Sequence, residues 1–144
     1  MNRFADTSGW GAYLDRRERF HSLALATFSE TFQTDGRLVT TNWILTELTE
    51  LTALLASPLR ISKPVQIRML DLIRSDTGIE IVCIDLNLEA EAWSLWRTRP
   101  DKAWSLVDCS SFVLMHQRGL SDAITSDQHF EQAGFNRLLK PATP

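Results

Sequence analysis

The chain has 144 residues, of which 44% are hydrophobic and 23% charged, so it is long enough and apolar enough to bury the core of one domain. Its net charge of −3 excludes a protein that binds duplex nucleic acid through bulk positive charge. Its two cysteines, Cys83 and Cys109, form no CxxC pair, which excludes a disulfide scaffold and indicates reduced thiols.

The domain organisation that we predict is a single domain over residues 1–140 with a short tail at residues 141–144. The longest apolar stretch, IEIVCIDLNL, is interrupted by Glu80 and Asp85 and is too short to cross a membrane. The first residues, MNRFADTSGW, lack the hydrophobic region of a signal peptide. We therefore expect a soluble, cytoplasmic protein without a membrane partner.

Strand and helix patterns alternate in the first half of the chain. A strand at residues 2–5 runs into the segment DTS at residues 6–8, whose residue types favour the start of a helix. A longer helix begins at Thr41 or Asn42, includes Leu54 and Leu55, and ends at Ser57-Pro58. The other elements predicted here are helices at about residues 9–17 and at residues 20–33, and a strand at residues 37–41.

The second half of the chain continues the alternation. Pro64 in the first turn starts a helix at residues 63–75, the segment IEIVCID is the best strand, and Pro100 stops a helix that begins at Asn87. A helix from Leu106, a strand at residues 123–126, a helical turn at 128–134 and a last segment at 136–139 follow. This order predicts an α/β domain with a mostly parallel sheet covered by helices.

Two acidic residues directly follow predicted strands. Asp6 follows the first strand, and Asp127 follows the strand AITS. Open parallel sheets bind ligands beyond the carboxyl ends of their strands, so both acids are candidates for a site at that edge. The alternative for Asp6 is that it only caps the helix that follows, a role for which aspartate is favoured.

Two further acids lie on the apolar faces of predicted helices. Glu47 lies about 60° from Ile44 around the helix axis, inside the apolar arc. Asp108 shares a helix face with Phe112 and Met115. A buried carboxylate is costly unless it is paired, protonated or bound to a metal. The alternatives are that Glu47 reaches an arginine and that Asp108 only caps its helix.

Four such acids suggest convergence in one cleft. Carboxylates that lie close together repel one another and raise one another's pKa unless a cation intervenes. Ligand sets made of oxygen suit Mg²⁺ or Mn²⁺ and not zinc. Such ions can activate water and neutralise a phosphodiester, so the pattern points to phosphodiester chemistry.

The remaining motifs carry less information. No GxSxG, GxGxxG or GxxxxGK[ST] motif occurs, which disfavours serine hydrolases and nucleotide-binding folds. The histidines lack metal-ligand spacing and are interpreted as structural or surface residues, and the tryptophans as core or interface residues. These residues are His21, His116 and His129, and Trp43, Trp93, Trp96 and Trp104.

Four segments resemble, in order and spacing, the acidic segments of the PIN-domain ribonucleases, particularly the VapC-like toxins of bacterial toxin–antitoxin pairs. They are FADTSGWGAYLD with Asp6, LVTTNWILTELTELTALL with Glu47, DKAWSLVDCSSFVLM with Asp108, and RGLSDAITSDQHFEQAGF with Asp127. The resemblance covers nearly the whole chain. It implies a three-layer α/β/α sandwich around a central, mostly parallel sheet.

The resemblance also implies roles for individual residues. Asp6, Glu47, Asp108 and Asp127 would bind Mg²⁺ or Mn²⁺ and catalyse hydrolysis of RNA, with minor help from Thr7 or Ser8. Asp101 and Asp122 are second-rank acids. Residues that could guide the RNA backbone are Arg16, Arg17, Arg97, Arg99 and Lys102. Members of the family commonly form homodimers and are silenced by an antitoxin that occupies the active-site groove.

The leading hypothesis is therefore a divalent-metal-dependent endoribonuclease that serves as the toxin of such a pair. One alternative is a degenerate PIN-like module that binds RNA or protein without cutting. Another is a phosphatase with Asp6 as nucleophile, although that class has a second aspartate two positions on, where Ser8 stands here.

Overall fold

The computed structural model describes residues 1–54 and 57–143. Leu55, which we predicted to lie in the last turn of a helix, is outside the described residues. The strands are β1 (Arg3–Ala5), β2 (Leu38–Thr41), β3 (Ile79–Val82), β4 (Asp122–Ile124) and β5 (Asn136–Arg137). The helices are α1 (Thr7–Leu14), α2 (His21–Gln33), α3 (Asn42–Ala53), α4 (Lys63–Ser75), α5 (Leu86–Thr98), α6 (Leu106–Arg118) and α7 (Gln128–Gln132).

The five strands form one sheet in the order β3-β2-β1-β4-β5, and every neighbouring pair is parallel. The central strand β1 is buried along its whole length, as expected for a strand with neighbours on both sides and helices on both faces. The edge strand β3 is half-buried. All carboxyl ends lie at the same edge of the sheet, because the strands share one direction.

The helices pack in two groups, α1 to α4 and α5 to α7, on either side of the sheet. Between them lies a core that includes Phe4, Leu38, Ile124 and Phe130, all fully buried. The three-layer α/β/α sandwich with a parallel sheet is thus confirmed. Among the residues that the structure describes, no helix combines the length and apolar character that a bilayer crossing requires.

Several predicted boundaries were wrong by a few residues. The first helix covers Thr7–Leu14 and not residues 9–17, because Asp15 ends it: its backbone N–H bonds to Gly11, and its carboxylate accepts from Arg17. The strand predicted at residues 79–85 ends at Val82, because Asn42 takes the N–H of Ile84 and the chain then turns into α5. The last segment is a strand only over Asn136–Arg137.

Candidate active site

Asp6 lies at the carboxyl end of the central strand and is both a helix cap and a buried acid. Its Oδ1 accepts hydrogen bonds from the N–H of Gly9 at 2.9 Å and from Ser8 Oγ at 2.8 Å, which caps α1. Its Oδ2 accepts from Thr125 Oγ1 at 2.7 Å. The carboxylate is almost fully buried, with 6% exposure. The capping role and the site role that we weighed for Asp6 are therefore compatible.

Burial raises the pKa of Asp6 from 3.8 to about 7. The hydrogen bonds from Thr125, Gly9 and Ser8 stabilise the ionised form and oppose this rise, whereas the negative charge of Asp127 adds to it. Thr125 keeps the two strand-end acids near each other, because its Oγ1 donates to Asp6 Oδ2 at 2.7 Å and accepts from the backbone N–H of Asp127 at 3.0 Å. Such a site gains from a cation that neutralises both.

The first turn of α1 packs directly on the end of β4. A Cβ atom at Gly9 would lie 1.9 Å from the carbonyl oxygen of Ile124, so only glycine permits this approach. Ser8 reinforces the junction, because its Oγ accepts from the N–H of Ser126 at 3.0 Å and lies 3.1 Å from Thr125 Oγ1. The segments that carry Asp6 and Asp127 are consequently held together by backbone contact as well as by side chains.

Glu47 faces the same region from α3. It is half-buried, and its Oε1 accepts a hydrogen bond from Thr7 Oγ1. Since Thr7 is the neighbour of Asp6, this bond holds the second acid beside the first. None of the described arginines forms an ion pair with Glu47, so the alternative in which it reaches an arginine is not supported.

Asp108 lies in the first turn of α6 and belongs to a capping box. Its Oδ2 accepts from the N–H of Ser105 at 3.0 Å, while Ser105 Oγ accepts from the N–H of Asp108 at 3.0 Å. Phe112 and Met115, which share its helix face, are buried in the core. Asp108 therefore starts its helix and still presents a carboxylate at the site.

Asp127 and Asp108 meet at the ring of His129. The Nδ1 atom of His129 lies 3.0 Å from Asp108 Oδ2 and 3.4 Å from Asp127 Oδ1. Asp127 also caps α7, since its Oδ1 accepts from the N–H of His129 at 2.9 Å. One ligand atom from each of these three residues lies within 4.8 Å of the other two.

The bonds that connect the four acidic residues run through Thr7, Thr125 and His129. Thr7 Oγ1 donates to Glu47, and Thr125 Oγ1 donates to the carboxylate of Asp6 and accepts from the backbone N–H of Asp127. His129 Nδ1 lies beside the carboxylates of Asp108 and Asp127. Within the described residues, no lysine or arginine forms an ion pair with any of the four. Burial raises the pKa of one of these acids, Asp6. A set of carboxylate oxygens of this kind fits a divalent cation.

The two second-rank acids lie elsewhere. Asp122 begins β4, at the edge of the sheet opposite to Asp127, where it bonds to Asn136 at 2.8 Å and faces Arg3 at 3.8 Å. Asp101 is exposed and makes two 3.0 Å hydrogen bonds to Arg99. The prediction that they support the site is therefore corrected: Asp122 is at the wrong end of its strand, and Asp101 is committed to a surface ion pair.

The predicted RNA-contacting residues are all on the surface, but two of them have acidic partners. Arg17 pairs with Asp15 and also donates to the carbonyl of Pro58, and Arg99 pairs with Asp101. Arg99 also lies over the ring of Trp104 at 5.1 Å. The side chains of Arg16 and Arg97 are exposed, and that of Lys102 is half-buried.

Sequence reasoning missed two residues of this site. Thr125 was seen only as part of a strand, and His129 was interpreted as structural or surface. The spacing of His129 two residues after a strand-end acid was an available signal, because a short helical turn folds that ring back onto the acid. Cys109, next to Asp108, takes no part: burial raises the pKa of its thiol to about 11, so it stays protonated.

The family model described as the PIN domain matches residues 3–136. The 23S rRNA-specific endonuclease VapC20 of Mycobacterium tuberculosis, found in strains CDC 1551 / Oshkosh and ATCC 25618 / H37Rv, is 36% identical over 64 residues. That alignment covers 44% of this chain and 48% of the relative, so the chain spans about half the length of the curated relatives it matches.

The fold also resembles a solved structure. The crystal structure of Mycobacterium tuberculosis VapC20, described as a Sarcin-Ricin loop cleaving toxin, superposes with a TM-score of 0.77. The match covers 94% of this chain and 97% of the other, at 23% sequence identity. At that identity the match establishes the shared fold.

Proposed function

The chain belongs to the PIN-domain family, and from that membership and its acid cluster we propose that it is a divalent-metal-dependent endoribonuclease. The observation that supports the proposal is that four acidic residues, connected through Thr7, Thr125 and His129 and without a lysine or arginine partner among the described residues, lie at the carboxyl edge of a parallel sheet. We propose further that residues 1–140 form one catalytic domain, and that it acts in the cytoplasm, where its RNA substrate would be.

Asp6, Glu47, Asp108 and Asp127 are the residues that would hold Mg²⁺ or Mn²⁺. When bound, the ion supplies positive charge that polarises the phosphodiester and lowers the pKa of water. The protein's part is to hold the carboxylates in place before the substrate arrives. Thr7 orients Glu47, and Ser8 and Thr125 orient the two oxygens of Asp6.

The substrate class that we propose is structured RNA. The relatives named as 23S rRNA-specific endonucleases support ribosomal RNA as the first class to test. Arg16, Arg97 and Lys102 would contact the phosphate backbone, and their small number agrees with local contacts in a chain of net charge −3. Arg17 and Arg99 would contribute less, because each shares its charge with an aspartate.

We propose a cognate antitoxin as the protein partner. Between α1, α2 and α4 lies an open apolar groove of about 310 Å³, and several large apolar residues are exposed along it. These residues are Tyr13, Leu14, Phe32, Val65 and Leu72. A surface of this kind fits the apolar side of a partner helix. We also propose a homodimer, supported by the half-exposed Trp93 and Trp96 on α5.

The geometry disfavours the phosphatase alternative. That class has a second aspartate two positions after its nucleophile. The position two residues on is Ser8, which serves to hold Asp6 in place. The degenerate binding module is disfavoured because a scaffold gains nothing from four clustered carboxylates.

The decisive experiment is incubation of the pure protein with a mixture of structured RNAs, including ribosomal RNA, with Mg²⁺, with Mn²⁺ and with excess chelator. We expect cleavage at defined sites with either ion and none with chelator. Asp6→Asn and Asp108→Asn should each lower cleavage by 10³-fold or more, on the order of the loss of a catalytic group, while circular dichroism shows an intact fold.

Asp101→Asn is the matched control, because it removes an exposed acid whose partner is Arg99. It should cleave at the rate of the unaltered protein. Undiminished cleavage by the Asp6 and Asp108 variants, or in excess chelator, contradicts the proposal. Binding of RNA without any cleavage under all conditions would instead support the degenerate module.

A further inference from the structure

We propose that His129 is a nitrogen ligand of the divalent cation and that it makes the site prefer Mn²⁺ over Mg²⁺. The inference rests on the proposed cation site, but it does not depend on what RNA the protein cuts. It assigns a role to a histidine that we interpreted from the sequence as a structural or surface residue.

The distances support direct ligation. His129 Nδ1 lies 3.0 Å from Asp108 Oδ2 and 3.4 Å from Asp127 Oδ1. Ligands at about 2.1 Å from an octahedral ion are separated by about 3 Å when they occupy adjacent positions. Both distances from Nδ1 are close to the spacing of adjacent ligands, and the ligand atoms of all three residues lie within 4.8 Å of one another, so an ion could be bound with little movement of the side chains.

The backbone fixes the ring in this position. The N–H of His129 donates to Asp127 Oδ1 at 2.9 Å, and the next residue, Phe130, is fully buried against Phe4 and Phe112. Because α7 is anchored on both sides of His129, the side chain is held over the acids. The only bonding partners recorded for Nδ1 among the described residues are the two carboxylates.

Ligand chemistry then decides which ion is favoured. Mg²⁺ binds oxygen and keeps much of its water, whereas affinity for mixed nitrogen and oxygen sites rises from Mn²⁺ along the first transition row. A site with one imidazole and several carboxylates discriminates against Mg²⁺ more strongly than a site of carboxylates alone. The ring binds through Nδ1 with its proton on Nε2.

The test is pulsed electron paramagnetic resonance on the protein loaded with Mn²⁺, in the absence of RNA. We expect modulation from a directly bound ¹⁴N nucleus in the unaltered protein. His129→Gln should remove it and weaken Mn²⁺ binding, measured by calorimetry, by about tenfold or more, with a smaller effect on Mg²⁺. His116→Gln is the control, because His116 is an exposed histidine two turns along α6 from Asp108.

Three outcomes overturn the inference. They are a Mn²⁺ spectrum without nitrogen coupling, coupling that persists in His129→Gln, and an unchanged ratio of Mn²⁺ to Mg²⁺ affinity in that variant. The first needs no variant, so it holds even if His129→Gln fails to fold. The proposed function and this inference fail in different ways. Nitrogen coupling in a protein that cleaves no RNA would contradict the proposed function. Cleavage of RNA by a protein without nitrogen coupling would leave the function intact and exclude His129 as a ligand.

Discussion

The burial of the Asp6 carboxylate is the main electrostatic cost of the candidate site. It is buried beside a second carboxylate, and three hydrogen bonds do not offset the loss of hydration. A rise in pKa from 3.8 to about 7 corresponds to about 4 kcal/mol of folding free energy lost when the group is ionised. The function that we propose for this residue would therefore oppose stability, as is common at active sites.

The raised pKa of Asp6 determines the direction in which the stability of the fold changes with pH. Between about pH 4 and pH 7 the folded protein retains a proton on Asp6 that the unfolded chain has released. The contribution of Asp6 to stability is therefore fully present below the unfolded value, declines as the pH rises through this window, and levels off above about pH 7.

Asp6→Asn should consequently raise the free energy of unfolding at pH 8 by about 2–4 kcal/mol in the absence of divalent cations. The amide oxygen keeps the bonds from Ser8 and Gly9, and the NH₂ group can donate to Thr125 Oγ1. Denaturant unfolding at pH 8 and pH 3.5 is the measurement, and the gain should be small at the lower pH. Added Mn²⁺ should stabilise the unaltered protein and not the variant.

Asp15→Asn is the control, because we expect it to change the free energy of unfolding in the opposite direction. The backbone amide of Arg17, with help from its guanidinium, lowers the pKa of Asp15, so its charge stabilises the fold above the unfolded pKa. This variant should lose stability at pH 8. If Asp6→Asn is less stable than the unaltered protein at pH 8, then the buried charge is already neutralised by something other than a cation.

Among the helices and strands, α6 has the start that contributes most directly to the candidate site. Ser105 and Asp108 form a reciprocal capping box, and Asp108 is also one of the four acids. The capping box at the start of α6 thus fixes the direction in which the Asp108 carboxylate points. By contrast, Ser62 occupies the same capping position of α4 without a side-chain hydrogen bond.

This contrast gives a paired prediction. Ser105→Ala should lower the free energy of unfolding by about 1 kcal/mol, because the N–H of Asp108 loses its partner. Ser62→Ala should change it by less than about 0.5 kcal/mol. Both are measured by urea unfolding of the metal-free protein. Equal effects of the two substitutions would show that the capping box contributes nothing to the stability of α6.

The sequence predicts helices and strands better than it predicts how they meet. The helix at Lys63–Ser75 was predicted to the residue, because Pro64 and the apolar spacing mark it locally. The carboxyl end of β3 was not, because it depends on Asn42, a residue of another element. The acids Asp6 and Asp127 could be placed at one edge of the sheet since parallel strands share a direction.

Two features of the site depend on contacts between distant residues, and the sequence does not reveal them. Thr125 bonds to Asp6 across a separation of 119 residues, and His129 reaches Asp108 across 21. Neither contact can be predicted from the spacing of neighbouring residues in the sequence. Conversely, Asp122 lies near Asp127 in the chain but at the opposite edge of the sheet, since a short strand separates them.

At the scale of the whole molecule, α5 presents an aromatic surface to solvent. The rings of Trp93 and Trp96 meet edge to face at 5.5 Å, with 39% and 45% of these residues exposed. Arg97 lies 6.0 Å from the ring of Trp93. Exposed tryptophans beside arginine are typical of the centre of protein interfaces.

If the proposed homodimer uses this surface, light scattering should give twice the 16.4 kDa of one chain. The double variant Trp93→Ser, Trp96→Ser should then shift the mass to that of one chain. Leu86→Ser, at the other end of the same helix, is the control, because Leu86 is 82% exposed yet lies outside the aromatic pair. An unaltered protein with the mass of one chain rules the homodimer out, and a double variant that keeps the doubled mass places the interface elsewhere.

The hydrogen bond between Thr125 and Asp6 also determines when, during synthesis of the chain, the acid cluster can form. The central strand β1 is made first, but its neighbour β4, which carries Thr125 and leads to Asp127, is made more than a hundred residues later. The acid cluster of the proposed nuclease is therefore incomplete until β4 and Asp127 have been made and have folded against β1. Any cleavage by the proposed nuclease would begin only after that point in synthesis.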